Sequence, residues 1–106
     1  MKLGIIVCTT DPETAWNAFR LGLFAQQQGD RVSAFLLARG VECDRLTAAP
    51  FDVRAQMESF AAAGGRILAC GTCLKIRNAA GSDLCPLSTM RDLHELVRDC
   101  DKVVTF

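Results

Sequence analysis

Short apolar runs alternate along the chain with longer stretches whose apolar positions recur every three or four residues. Leu3-Gly4-Ile5-Ile6-Val7 is a continuous apolar run of strand length, the pattern of a strand buried on both faces. Thr9-Thr10-Asp11-Pro12-Glu13 then reads as a loop and helix start, because Asp11 can cap and proline suits a first helical position. The helix is predicted to run to about Gln28, with Trp16, Phe19 and Leu23 on one stripe. Gly29 supplies a C-terminal stop. Val32 to Ala38 reads as a second buried strand.

Arg39 to Phe51 reads as a polar, irregular connection ending in Ala49-Pro50. Asp52 then caps a second helix with Val53, Met57 and Phe60 on one face, stopped by Gly64-Gly65. Arg66 to Cys70 is a third apolar strand, followed by a short helix over Leu74-Lys75-Ile76-Arg77 and a loop at residues 78–82. Asp83-Leu84-Cys85 is assigned as a very short strand. Ser88 or Thr89 caps a last helix carrying Met90, Leu93, Val97 and Cys100, and Lys102 to Phe106 forms a terminal strand. Alternating apolar strands and amphipathic helices predict one α/β domain with a mainly parallel sheet. No repeat, low-complexity tract or linker divides the chain.

Composition narrows the class. The 106 residues suffice for one core, and half of them are hydrophobic. Twelve Lys and Arg balance twelve Asp and Glu, with no basic cluster to track phosphates, so nucleic acid is not an expected partner. No apolar run approaches the roughly 20 residues of a membrane span. The N-terminal residues show no signal-peptide pattern, so a cytoplasmic location is expected. Six cysteines in such a chain are then reduced thiols rather than a disulfide framework.

Ligands of open parallel sheets bind beyond the carboxyl ends of the strands. Cys8, Cys70, Cys73, Cys85 and Cys43 all fall toward that edge by this reading, and Cys100 toward the other. Cys8, Cys85 and Cys100 are read as core fillers, since cysteine often behaves as a small hydrophobe. Cys43 is read as exposed and merely tolerated. His94, the only histidine, is read as a surface residue, and Trp16 and the phenylalanines as core. Capping accounts for Thr9, Thr10 and Asp11.

Cys70-Gly71-Thr72-Cys73 is different. Two thiols flank Gly-Thr where a buried strand gives way to a helix, and a helix amino end favours thiolate over thiol. Gly71 lets the backbone turn and expose N–H groups, and Lys75 and Arg77 add positive charge nearby. A structural zinc site wants four ligands, commonly two CxxC pairs, and this chain has one pair with isolated Cys8, Cys43 or Cys85 to complete it. A thioredoxin-type dithiol comes early and opens a long helix, whereas two βα units precede this one. Persulfide chemistry needs an accessible thiolate, N–H donors or positive charge, and no metal or cofactor. The residues leave open a carrier of sulfane sulfur, a non-enzymatic module whose cysteines bind metal or pack, and a dithiol redox protein.

The order of elements, the Leu68-Ala69-Cys70-Gly71-Thr72-Cys73 loop and the closing Asp101-Lys102-Val103-Val104-Thr105-Phe106 strand resemble the DsrE/DsrF-like proteins, nearest to the YchN type. That resemblance implies a three-layer α/β/α sandwich with a mostly parallel sheet of about five strands. It implies homo-oligomers, trimers or hexamers, that exchange sulfur with donor and acceptor proteins in a sulfur relay. It places the reactive cysteine in the loop after the third strand. Carried over, that is Cys70, with Cys73 as the second thiol; the residues' own chemistry adds Gly71 and Thr72 shaping the loop and Lys75 or Arg77 stabilising the thiolate.

Overall fold

A computed structural model describes all residues, 1–106. Strand β1 (Lys2–Val7) leads into helix α1 (Pro12–Gln27) and strand β2 (Arg31–Leu36); a 3₁₀ segment (Ala38–Arg45) precedes helix α2 (Val53–Ala62). Strand β3 (Arg66–Cys70), helix α3 (Gly71–Ile76), strand β4 (Leu87–Ser88), helix α4 (Met90–Asp99) and strand β5 (Lys102–Thr105) complete the domain. The five strands form one sheet in the order β4-β3-β2-β1-β5, and every pairing is parallel. The architecture is the expected three-layer α/β/α sandwich.

Successive residues on a strand point to opposite faces, and β1 shows both. Ile5 meets α1 at Gly22, where a Cβ would come within 3.2 Å of the Ile5 side chain and 2.7 Å of Phe60 from α2. Gly4 faces the other way, where a Cβ would collide with Leu96 of α4 at 2.5 Å. Helices α1 and α2 thus cover one face, and α4 is seated in a notch on the other. Phe19 and Phe60 meet edge to face at 5.6 Å in the larger of the two layers, both fully buried. Such pairs add about 0.5–1.5 kcal/mol beyond the area they bury.

The caps form as the sequence requires. Asp11 accepts hydrogen bonds from Thr14 N (3.0 Å) and Thr14 Oγ1 (2.7 Å), and Asp52 accepts one from Ala55 N at 3.0 Å. At α4 the Asp92 carboxylate reaches back to Thr89 N (2.9 Å) and Thr89 Oγ1 (3.0 Å) and also takes the buried Ser88 hydroxyl at 2.6 Å. These bonds hold the Asp92 carboxyl below its ordinary range, the Ser88 bond most.

Several assignments differ from the sequence reading. Strand β2 stops at Leu36, because Ala38 adopts a left-handed backbone with φ 53°. The connection after it is not irregular throughout, since the 3₁₀ segment occupies Ala38–Arg45. Asp83-Leu84-Cys85 is not a strand; the fourth strand is Leu87–Ser88, paired with Ala69 and Cys70. Helix α4 turns Leu93, Leu96 and Cys100 inward, leaving Met90 and Val97 exposed.

Candidate functional site

The carboxyl end of β3 and the first turn of α3 bring Cys70 and Cys73 together. Cys70 is the last residue of the strand and the cap of the helix: its Sγ accepts a hydrogen bond from Cys73 N at 3.5 Å. The helix begins at Gly71, three residues earlier than the apolar pattern suggested. Gly71 lies in that first turn rather than in a left-handed bend. Its missing side chain gives clearance, because a Cβ would sit 3.0 Å from the Ser88 carbonyl oxygen of β4. Thr72 is exposed on the outer side of the same turn.

The two sulfurs have different surroundings. Cys70 is buried, 4% exposed, whereas Cys73 is part exposed. Cys73 Sγ accepts a hydrogen bond from the backbone N–H of Ala38 at 3.2 Å, across the gap between α3 and the 3₁₀ segment. Arg77 lies one turn further on. Its Nη1 donates to the Cys73 carbonyl at 3.1 Å and its Nε stands 3.7 Å from Glu42 Oε2, so it ties α3 to the 3₁₀ segment. Lys75 is exposed and lines a separate groove with Gly71, Thr72, Leu87 and Met90. It is not among the charges that act on Cys73.

The helix end does not make Cys73 an acidic thiol. Desolvation, followed by its hydrogen bond to the Cys70 thiol, pushes Cys73 up from the ordinary value. The Ala38 N–H and the Arg77 charge pull it down by less. A helix of six residues aligns few peptide dipoles, and Glu42 neutralises part of the Arg77 charge. Cys73 is therefore protonated in most molecules at neutral pH and becomes a nucleophile as the solution turns alkaline.

All six cysteines are free thiols. Cys43, read from the sequence as exposed, is fully buried, and its thiol donates to the Thr9 carbonyl at 3.2 Å. Burial pushes it from 9.0 up to about 12, with the nearby Cys85, Asp44 and Glu42 adding to the effect. Burial likewise pushes Cys85 up to about 12, with Asp44 adding and Arg54 and the Ser82 hydrogen bond opposing. Cys8 and Cys100 are partly buried and raised by desolvation, as suits packing residues. No three His, Cys, Asp or Glu side chains converge into a metal-binding group. His94 is exposed.

The two buried thiols carry a consequence for stability. Above about pH 9 the unfolded chain releases their protons while the native state keeps them, so the native state binds more protons and stability falls as pH rises. The expected slope is about 1.4 kcal/mol per pH unit for each thiol, ending where the native thiols themselves ionise near 12. Urea midpoints measured from neutral to alkaline pH should fall, and Cys43→Ala with Cys85→Ala should flatten the curve. Equal slopes in wild type and double variant would contradict the assignment.

The site is thus a pair of adjoining thiols at the carboxyl edge of a parallel α/β/α domain, one buried and one reachable. The chain belongs to the DsrE/DsrF-like family, whose sequence model matches residues 1–106. It is also similar to an uncharacterized protein of Methanocaldococcus jannaschii, 36% identical over 115 residues and covering 100% of both chains. A second relative, an uncharacterized protein of Methanopyrus kandleri, is 32% identical over 100 residues, spanning 89% of this chain and 83% of its own. Family membership suggests a role in sulfur relay. No helix is long and apolar enough to cross a membrane.

Sequence reasoning selected both thiols but missed Ala38 and Glu42, which touch the site from the 3₁₀ segment. A backbone N–H leaves no mark in a sequence. Gly40 was the available signal: a Cβ there would lie 1.8 Å from the Val7 carbonyl oxygen, so the segment packs directly onto the end of β1.

Proposed function

We propose that this protein carries sulfane sulfur as a persulfide on the Cys70–Cys73 pair. The observation that carries the proposal is the pair itself: two adjoining reduced thiols of unequal exposure at the carboxyl edge of the sheet, each with a backbone N–H donor on its sulfur. The family resemblance gives the carrier role to Cys70. Exposure favours the opposite order, with Cys73 receiving sulfur first.

The Cys73 thiolate attacks the outer sulfur of a donor persulfide, R–S–SH. A new S–S bond forms at Cys73, the donor S–S bond breaks, and the electron pair leaves with the donor as R–S⁻. The Cys73 persulfide then yields its outer sulfur to an acceptor thiolate by the same exchange. Alternatively the Cys70 thiolate attacks the Cys73 sulfur, forming a Cys70–Cys73 disulfide and expelling HS⁻. Gly71 and Thr72 shape the loop, Arg77 holds it, and Lys75 sits on the rim where a partner protein would approach.

The protein acts in the cytoplasm, where free thiols persist, and as a homotrimer or hexamer. Exposed apolar side chains such as Phe24, Ile76, Leu87, Met90 and Val97 are available for that assembly. A monomer by light scattering would refute the oligomer.

The test is to treat reduced protein with inorganic polysulfide and read its intact mass and peptide map. One reducible sulfur atom per chain, confined to Cys70 or Cys73, is expected. Because Cys73 is raised, the loading rate should climb as pH increases through the thiol range. Sulfur confined to the other cysteines refutes the proposal. So does a stable Cys70–Cys73 disulfide with no sulfur uptake at any time, which favours dithiol redox exchange.

A further inference from the structure

We propose that the 3₁₀ segment sets the reactivity of Cys73, with Ala38 and Glu42 as its positioning residues. The inference rests on the reading of Cys73 as the nucleophile. Ala38 is a non-glycine residue at φ 53°, a conformation with a steric cost for any side chain, and its own side chain is exposed, so no packing demands that strain. The neighbouring bonds impose it. Leu37 N donates to the Val7 carbonyl at 3.0 Å, Gly40 N donates to the Leu37 carbonyl at 2.9 Å, and Gly40 lies against the Val7 carbonyl itself. The result is one backbone N–H aimed out of the segment at the Cys73 sulfur.

That N–H stabilises the charged sulfur more than the neutral one, as a fixed donor does for a developing anion. Glu42, four residues on, acts in the opposite direction. Its carboxylate stands 3.7 Å from Arg77 Nε, and Arg77 is the one cation acting on the Cys73 sulfur. Pairing with Glu42 spends part of that positive charge. The segment therefore holds one group that raises the reactivity of Cys73 and one that restrains it. Both belong to an element that sequence spacing places some thirty residues from the thiol.

Iodoacetamide alkylation of Cys73, followed by peptide mass mapping against pH, tests the inference without any sulfur transfer. Ala38→Val, which disfavours the left-handed backbone, should slow Cys73 alkylation at neutral pH by about tenfold, equivalent to one unit in the profile. Ala38→Gly, the conservative variant that keeps both the N–H and the conformation, should restore the wild-type profile. Glu42→Gln should move the profile to lower pH and speed alkylation by about threefold, half a unit. That gain should vanish when Arg77→Gln is also present. Unchanged Cys73 profiles in folded Ala38→Val and Glu42→Gln would overturn the proposal, as would a Glu42→Gln gain that survives Arg77→Gln. Polysulfide loading of the same variants separates the two readings. If alkylation follows the pattern but no variant or wild type takes up sulfur, the positioning role stands and the carrier reading fails. Loading with unmoved profiles does the reverse.

Discussion

Gly40→Ala is expected to destabilise the fold by about 3 kcal/mol or more, the upper range for an overpacked site. The added Cβ would lie 1.8 Å from the Val7 carbonyl oxygen, 2.7 Å from its carbon and 3.3 Å from Cys8 N. All three are backbone atoms, so no side-chain rotation relieves the collision. Either the end of β1 moves, although it is paired on both sides by β2 and β5, or the 3₁₀ segment lifts away. The second route is cheaper, since the segment is joined to the sheet by fewer bonds than β1 is to its two partner strands. Lifting the segment withdraws the Ala38 N–H from Cys73 and separates Glu42 from Arg77. A domain of this size has about 5–15 kcal/mol in total, so the variant stays folded in water but loses a large part of its margin. Urea titration measures the loss, and a difference below about 1 kcal/mol would mean that the contact is easily relieved.

The second large effect concerns the two thiols. Cys73→Ser is expected to reduce polysulfide loading to below about one hundredth of the wild-type rate, because a hydroxyl does not replace a thiolate as nucleophile near neutral pH. Cys70→Ser is expected to load normally yet to release no sulfide, since nothing remains to displace HS⁻ from the Cys73 persulfide. Cys70→Ser is also a mild change for the fold. Serine is a favoured helix cap, and its oxygen can take over the bond that Cys70 Sγ now accepts from Cys73 N. A loss of loading in Cys70→Ser therefore cannot be assigned to an unravelled helix. If Cys70→Ser is the variant that fails to load and Cys73→Ser loads as wild type does, the order of the two thiols is reversed and Cys70 is the first acceptor.

Most of the fold was legible because its elements are locally consistent. Leu3 to Val7 and Arg66 to Cys70 have no other way to bury so many apolar groups, and Asp11, Asp52 and Thr89 stand where helices need acceptors. What escaped depends on distant partners. Cys43 lies in the polar string Arg39-Gly40-Val41-Glu42-Cys43-Asp44-Arg45, so nothing local marks it as core; only the approach of Gly40 to β1 carries it inward. Strand β4 has two residues, too few for any periodicity, and its place is fixed by the free edge of β3 at Ala69 and Cys70. In α4 both Met90-Leu93-Val97 and Leu93-Leu96-Cys100 are apolar stripes of helical spacing. The notch left by Gly4 decides between them by admitting Leu96.

The candidate site divides in the same way. The Cys70 and Cys73 side chains announce themselves by their spacing at a strand end. The sulfur's environment does not, because it is built from a main-chain amide at Ala38 and from a carboxylate that acts through Arg77. Desolvation outweighs the Ala38 N–H and the Arg77 charge at Cys73, and it comes from packing against a segment that the polar pattern gave no reason to fold.

The buried pair Cys43 and Cys85 gives the molecule an internal clock. Neither sulfur is open to solvent in the native state, and both hold their protons into strongly alkaline solution. A thiol reagent reaches them only during the openings that expose the core. In a single time course, modification at Cys73 reports the chemistry of the functional loop while modification at Cys43 and Cys85 counts unfolding events. The chain thus records, in the masses of its own peptides, whether a change at the loop altered reactivity or loosened the protein around it.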